Sequence, residues 1–348
     1  MNHYLFISQG AGSPTVWFFF AYFFMALVFI FFPLAYLTSY FERKLSADFQ
    51  ARVGPSLTGR NGILQILADH LKLFQKNLSY SKNFSGKAWL ALSVCILYAS
   101  LAVLPLGTEL ILFTSEVSLL FPVFLFLFFF LAQMMLGIRQ GSVSGFFGGI
   151  RLSVQAVSGA FPLLITVATV ALARGSLSWE KIVLSQAWTP STWILFESPF
   201  LFLAGLSFYL SGLLMLHLEP LNSAMASKEL QGGVFRSSGG KGLALFRVNQ
   251  AYLMVFWTML FSAVFLGGWN TPDLLNQWIG DEKSSSLQFF QLGWFIAKSF
   301  CVIVLLLWQR KVIPLLRIDQ VTDYSWKVLS PLSIFAFFGQ TIWMGVKF

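Results

Sequence analysis

The sequence predicts an all-α, polytopic membrane protein, and three observations lead there. Apolar residues make up 57% of the 348 and charged residues only 11%, with a mean hydropathy of +0.72. Eight stretches stay apolar for roughly the 20 residues that a crossing helix needs. These runs are continuous, not alternating, so they do not read as strands of a membrane barrel.

Taken in order, spans are expected near 17–39, 88–107, 117–137, 152–172, 200–218, 250–269, 291–309 and 329–346. The first carries no Lys or Arg before Arg43, and it lacks a basic n-region and a small-residue cleavage site. It is therefore expected to be a retained span. The 40 phenylalanines, with runs such as Phe128-Phe129-Phe130, read as lipid-facing bulk. Cys95 and Cys301 fall inside spans, where buried small hydrophobes are expected.

The spans form one transmembrane domain over 1–348, with polar material collected in loops 41–87, 138–151, 219–249 and 310–328. Those loops hold 18 of the 23 basic residues, eight of them between Arg43 and Lys87. The opposite side holds only Arg174, Lys181, Lys283 and Lys347. This asymmetry predicts that the four loops are cytoplasmic and both termini outside. The net charge of +9 is mostly this topogenic signal, and no soluble basic face exists for nucleic acid. Two cysteines cannot ligate an iron–sulfur cluster, and His3, His70 and His217 offer no paired haem-ligand pattern. No cofactor is expected on this chain.

Within the first loop, 62–76 reads as an amphipathic helix. Ile63, Leu64, Ile66, Leu67, Leu71 and Phe74 cover one face, while Gln65, Asp69, Lys72 and Lys76 gather opposite. Asp69 and Lys72, three apart, are neighbours on that surface. Such a helix lies in the membrane interface, either as a plain anchor or as a gate for an amphipathic lipid-soluble ligand. Lys298 is the strongly charged residue placed well inside a span, at a cost of roughly 2.5–3.5 kcal/mol. It is expected to face the bundle interior and pair with a carbonyl, water or a carboxylate.

The motifs are specific. Glu42-Arg43-Lys44, Gln50-Ala51-Arg52-Val53-Gly54-Pro55, Gly59, Gly62, Leu64-Gln65, Ala68-Asp69 and Lys72-Leu73 closely resemble the first cytoplasmic loop of one family. That family is the H subunit of proton-pumping NADH:quinone oxidoreductase, respiratory complex I. Gly148-Gly149-Ile150-Arg151 with Gln155 and Ser158, Phe265-Leu266-Gly267-Gly268-Trp269, and Trp294 with Lys298 extend the likeness. So do Trp308-Gln309-Arg310, Arg317-Ile318-Asp319-Gln320 and Trp326-Lys327-Val328-Leu329-Ser330-Pro331 near the end.

The resemblance implies a helical component of a bacterial inner membrane, at the junction between a membrane arm and a hydrophilic arm. Flavin mononucleotide and iron–sulfur clusters would sit on partner subunits, and quinone would be the substrate of the assembly. Glu42, Arg43, Arg52, Asp69 and Lys72 become candidates for the quinone tunnel, with Glu42 free to form a local ion pair with Arg43. Arg151, Glu229, Lys298, Arg310, Arg317 and Asp319 become candidates for a proton path or internal charge. Competing readings are the membrane anchor of an energy-converting hydrogenase-type complex, a structural paralogue without quinone contact, and an independent transporter.

The departure from the family concerns charge. After Arg151, Gln155 and Ser158 the family continues Tyr-Glu, where this chain has Gly159-Ala160. In the third loop, family carboxylates become Met215, Asn222, Met225 and Ser227, an Arg becomes Leu218, and a Glu-Tyr-Ser-Gly becomes Ser237-Ser238-Gly239-Gly240. Only Glu229 is retained clearly. Apolar side chains cannot load and release protons as buried carboxylates do. An altered, weakened or absent coupling route is therefore expected.

Overall fold

The computed structural model describes residues 21–76, 84–107, 115–139, 141–187, 189–216, 234, 239–272, 285–313 and 316–347. Glu229, Asn222, Met225, Ser227 and Ser237 lie outside them. Among the described residues there is no β-strand. The helices are α1 (Ala21–Phe49), α2 (Gln65–Gln75), α3 (Phe84–Val103), α4 (Leu120–Arg139) and α5 (Val143–Arg174). There follow α6 (Trp179–Leu184), α7 (Pro199–Met215), α8 (Gly240–Phe265), α9 (Ser285–Val312) and α10 (Ile318–Val346).

Seven of these are long and apolar enough to cross a membrane, and the chain is a polytopic helical membrane protein. The eighth expected span appears as α7, which has 17 described residues. Several helices outrun the apolar stretches that predicted them. α1 continues ten residues past Ser39, α5 starts nine before Leu152, and α10 starts eleven before Leu329. Hydropathy marks where hydrocarbon is crossed, whereas a helix propagates until something caps or breaks it. Ser142 caps α5 by accepting from the Gly145 N–H at 3.1 Å. As a result Glu42, Arg43, Arg151 and Arg247 ride on rigid helix ends instead of loops.

α8 is the hub. Its apolar window is 83% buried, against 28% for α1, as expected of a helix that is hydrophobic all round. Trp257 lies between Phe126 of α4, at 5.2 Å, and Phe208 of α7, at 4.6 Å. The ring enters because Gly212 has no Cβ; one placed there would overlap the indole. Phe129 and Phe130 are core residues and only Phe128 faces outward, so the phenylalanine run is not simple lipid-facing bulk. Its rings point in different directions because successive helical residues are turned about 100°. Cys95 and Cys301 are exposed, not buried; a thiol is apolar enough to face lipid as well as protein.

α5 carries Pro162 in its interior. Proline has no N–H, so the Ser158 carbonyl one turn earlier loses its helical donor. The Ser325 hydroxyl of α10 supplies the missing bond at 2.5 Å. Ser325 opens a π-helical turn, Ser325–Leu329, in which the Ser330 hydroxyl donates to the Ser325 carbonyl at 2.9 Å. The serine-rich seam between α5 and α10 thus repairs a backbone defect.

Candidate functional site

The last turns of α1, the following loop and α2 build one charged and one apolar compartment in succession. Arg43 Nη1 donates to Asp69 Oδ2 at 2.5 Å, joining α1 to α2. Asp69 Oδ1 accepts from Gln65 Nε2 at 3.3 Å, and the Thr58 hydroxyl donates in turn to Gln65 Oε1. Burial pushes the Asp69 carboxyl up, but the Arg43 hydrogen bond and charge outweigh it. With help from Gln65 and from Arg247 on α8, they hold the group below its ordinary value of 3.8.

The turn into α2 is pinned from α1. The Tyr36 hydroxyl donates to the Ile63 carbonyl, and Tyr40 donates to the Asn61 carbonyl at 3.0 Å. Gly62 sits between, at φ +74°, where an L side chain is strained and a Cβ would run into the Pro55 carbonyl. The helical part is shorter than expected: it begins at Gln65, and Gly62 to Leu64 form the turn.

Beside this pinned turn, Glu42, Arg43, Ser46, Arg52, Gly54 and Pro55 line a polar pocket of about 300 Å³. One to two turns back along α1 opens an apolar groove of about 280 Å³. Phe32, Ala35, Ile66, Leu67, Phe74 and Val248 form most of its wall, from α1, α2 and α8. The two compartments suit a molecule with a greasy tail and a polar head.

The structure gathers some predicted site residues and separates others. Glu42 pairs with Arg310 of α9, Nη1 to Oε1 at 2.5 Å, and not with Arg43. Adjacent helix positions point about 100° apart, so that local pair is geometrically excluded. Asp69 likewise turns to Arg43 and Gln65, while Lys72 is exposed. Arg52 is exposed and lines the polar pocket. Arg317 and Asp319 are exposed at the start of α10, where the Arg317 N–H donates to Gln320 Oε1 at 3.0 Å. Arg151 is half-buried on α5.

Lys298 belongs to the other end of α8. Its ammonium donates to the Leu266 and Gly268 carbonyls, each at 2.8 Å. The Trp193 and Trp294 rings lie 5.3 and 5.9 Å away. From Arg247 to Leu266 the helix rises roughly 28 Å at 1.5 Å per residue, so Lys298 is remote from the charged cluster. It caps the C-terminal, partially negative end of α8. Around it, residues 175–187 and 189–198 form a packed lid in which Trp179, Ile182 and Ile194 are buried. Gln186 ties that lid to α8 through the Val264 carbonyl at 3.0 Å.

Ala160 and Met215, where the resemblance implied carboxylates, sit in packed apolar surroundings, and Met215 is fully buried. Between the start of α3 and the end of α9 the described helices contain no Asp or Glu apart from Glu180 in α6 and Glu197 in the short helix Ile194–Glu197. Sequence reasoning did not place Tyr36, Tyr40, His70 or Arg247 at the site, and it gave Gln65 only as part of the first-loop motif and polar face. The i, i+4 spacing of the two tyrosines just before Glu42 was the available signal for the first pair; Arg247 had none, because its partner lies on another element.

A sequence profile of the NADH dehydrogenase family matches residues 12–340. The H subunit of NADH-quinone oxidoreductase from Chlorobaculum parvum is 32% identical over 88% of this chain and 86% of its own length. NADH-ubiquinone oxidoreductase chain 1 of Metridium senile is 30% identical over 86% of each. In fold, the chain is similar to a chain of the membrane-bound sulfane sulfur reductase, an archaeal respiratory membrane complex. That match has a TM-score of 0.79 and 22% identity, covering 92% of this chain and 99% of the other. With the first-loop motifs folded into one site and the profile spanning nearly every helix, the chain belongs to the NADH dehydrogenase family, as a divergent H-type member of complex I.

Proposed function

We propose that this chain is the membrane component that admits quinone to a complex I-type assembly, at its junction with a hydrophilic arm. The observation that carries the reading is the succession of an apolar groove and a polar pocket along α1. The groove takes the isoprenoid tail. Arg43 and Arg52 at the polar end provide donors that guide the headgroup, with Asp69 fixing Arg43 and Glu42 tied to Arg310 beside the opening. The chain carries no redox centre; flavin and iron–sulfur clusters belong to partner subunits, and the chain alone has no activity. Its membrane is a bacterial inner membrane, with both termini outside and the charged end facing the cytoplasm.

Labelling the purified complex with a photoreactive quinone tests this. Adducts on 32–43 and 65–75 are expected; labelled partner subunits beside an unlabelled first loop would reduce the chain to a scaffold. Arg43→Ala is expected to raise KM for a short-chain quinone several-fold more than it lowers kcat.

A second part of the proposal concerns coupling. Ala160 and Met215 are packed and apolar, so no proton can rest there. Arg151, Arg317 and Asp319 remain candidates for a residual charged route. The proton-to-electron stoichiometry of the reconstituted complex is expected to fall below that of ordinary relatives. A full yield would show that another route compensates.

A further inference from the structure

α2 is a weak helix in an important place. It has 11 residues, Leu64 at its N-cap offers no accepting side chain, and its first turn holds no Asp or Glu. A helix so short and uncapped is marginal in water. The turn before it is costly as well. Asn61 sits at φ +56°, a left-handed conformation that residues with a side chain resist. Yet α2 supplies Ile66, Leu67, Leu71 and Phe74 to the groove wall, so the shape of the groove depends on where this helix stands.

The groups that hold it form one stripe on α1. Tyr36, Tyr40 and Arg43 follow at i, i+4 and i+7, which places them on one helix face. The Tyr36 hydroxyl donates to the Ile63 carbonyl, the Tyr40 hydroxyl to the Asn61 carbonyl at 3.0 Å, and Arg43 to Asp69 at 2.5 Å. The stripe thus grips the strained residue, the residue before the N-cap and the second turn of α2. Hydrogen bonds are directional and fix a position. Val248 and Ala251, which α8 gives to the same groove, are apolar, and apolar contact is non-directional. Tyr40 belongs to the wall of neither the groove nor the polar pocket. Its hydroxyl therefore acts on a ligand only through α2.

We propose that Tyr36 and Tyr40 are positioning residues. By holding the 61–63 turn against α1, they fix the stance of α2 and so how tightly the groove closes on a quinone tail. The inference rests on the reading of the groove as the quinone path, and adds to it the residues that set its grip.

The test uses the purified intact complex. Hydrogen exchange of the amides of 61–70 reports the stance of α2. A decyl-benzoquinone bearing an azide on its tail reports the grip, through the concentration that gives half-maximal photolabelling of 32–39 and 65–75. Tyr209→Phe serves as the control, because it removes another phenol bond between helices, to Gln309 Oε1 at 2.9 Å. In Tyr40→Phe, exchange is expected to be roughly fivefold faster and half-maximal labelling to need roughly fivefold more probe, the worth of one net hydrogen bond. Tyr209→Phe should change neither. Unchanged exchange in Tyr40→Phe would overturn the clamp, and faster exchange with unchanged labelling would overturn its hold on the tail. Both results leave the quinone path standing. An equal change in Tyr209→Phe would reduce the effect to general loosening and overturn the proposal too. Wild-type adducts on partner subunits but none on α1 or α2 would overturn the quinone path itself. Should Tyr40→Phe not assemble, Tyr36→Phe is read in the same way.

Discussion

Arg310 Nη1 lies 2.5 Å from Glu42 Oε1, although 268 positions separate the two residues. The pair closes the charged end of the bundle by joining the first helix to the ninth. Its arginine side chain is only 12% exposed and its glutamate 31%, so removing one partner leaves a poorly solvated charge. Glu42→Ala is expected to lower stability by about 1–3 kcal/mol, read as a fall in the melting temperature of the detergent-solubilised complex. Glu42→Gln, which keeps an acceptor, should lose clearly less.

Asp69 sets an acid limit. Its folded pKa is depressed below 3.8, so its contribution to stability is present above that ordinary value and is lost as pH falls through the lower folded one. Melting curves across the acid range should therefore decline more gently in Asp69→Asn than in wild type. Identical acid limbs would mean that the Arg43 pair contributes nothing to the fold. Because a third of the Asp69 side chain is exposed, the effect is expected to be modest and weakened by salt.

Lys298 is expected to act through structure. Lys298→Met removes two charge-assisted bonds to the end of α8, and a loss of about 2 kcal/mol should follow. The proton-to-electron stoichiometry of complex that still assembles should not change. A variant with normal melting behaviour but reduced stoichiometry would place Lys298 on a proton path instead.

Two glycines should respond very differently to a single methyl group. At Gly212 a Cβ meets the Trp257 ring, which is itself clamped by Phe126 and Phe208. Gly212→Ala is expected to cost about 3 kcal/mol or more through overpacking, seen as failed assembly. At Gly159 the first obstacle is Met215 Cγ, 2.8 Å away, on a flexible side chain that yields. Gly159→Ala should cost less than about 1.5 kcal/mol and leave assembly intact.

Much of the fold was legible in the sequence because hydrocarbon leaves few options. Continuous apolar runs of about 20 residues can only be helices, and the family motifs marked the first loop before any geometry was known. The packed lid of 175–187 and 189–198 was not legible. Its short helices carry no strong period, and Trp179 and Ile182 are buried by α8 and its neighbours, not by local pattern.

The sequence alone determined the helical membrane class, the crowding of basic residues into a few segments, and the family. Each is a property of composition or local order, which survives without coordinates. Only the tertiary structure decided that Arg43 chooses Asp69, that Glu42 chooses Arg310, and that Lys298 caps the far end of α8. Partner choice depends on which helix faces which and at what height, and side chains distant in sequence meet only when packing has set both.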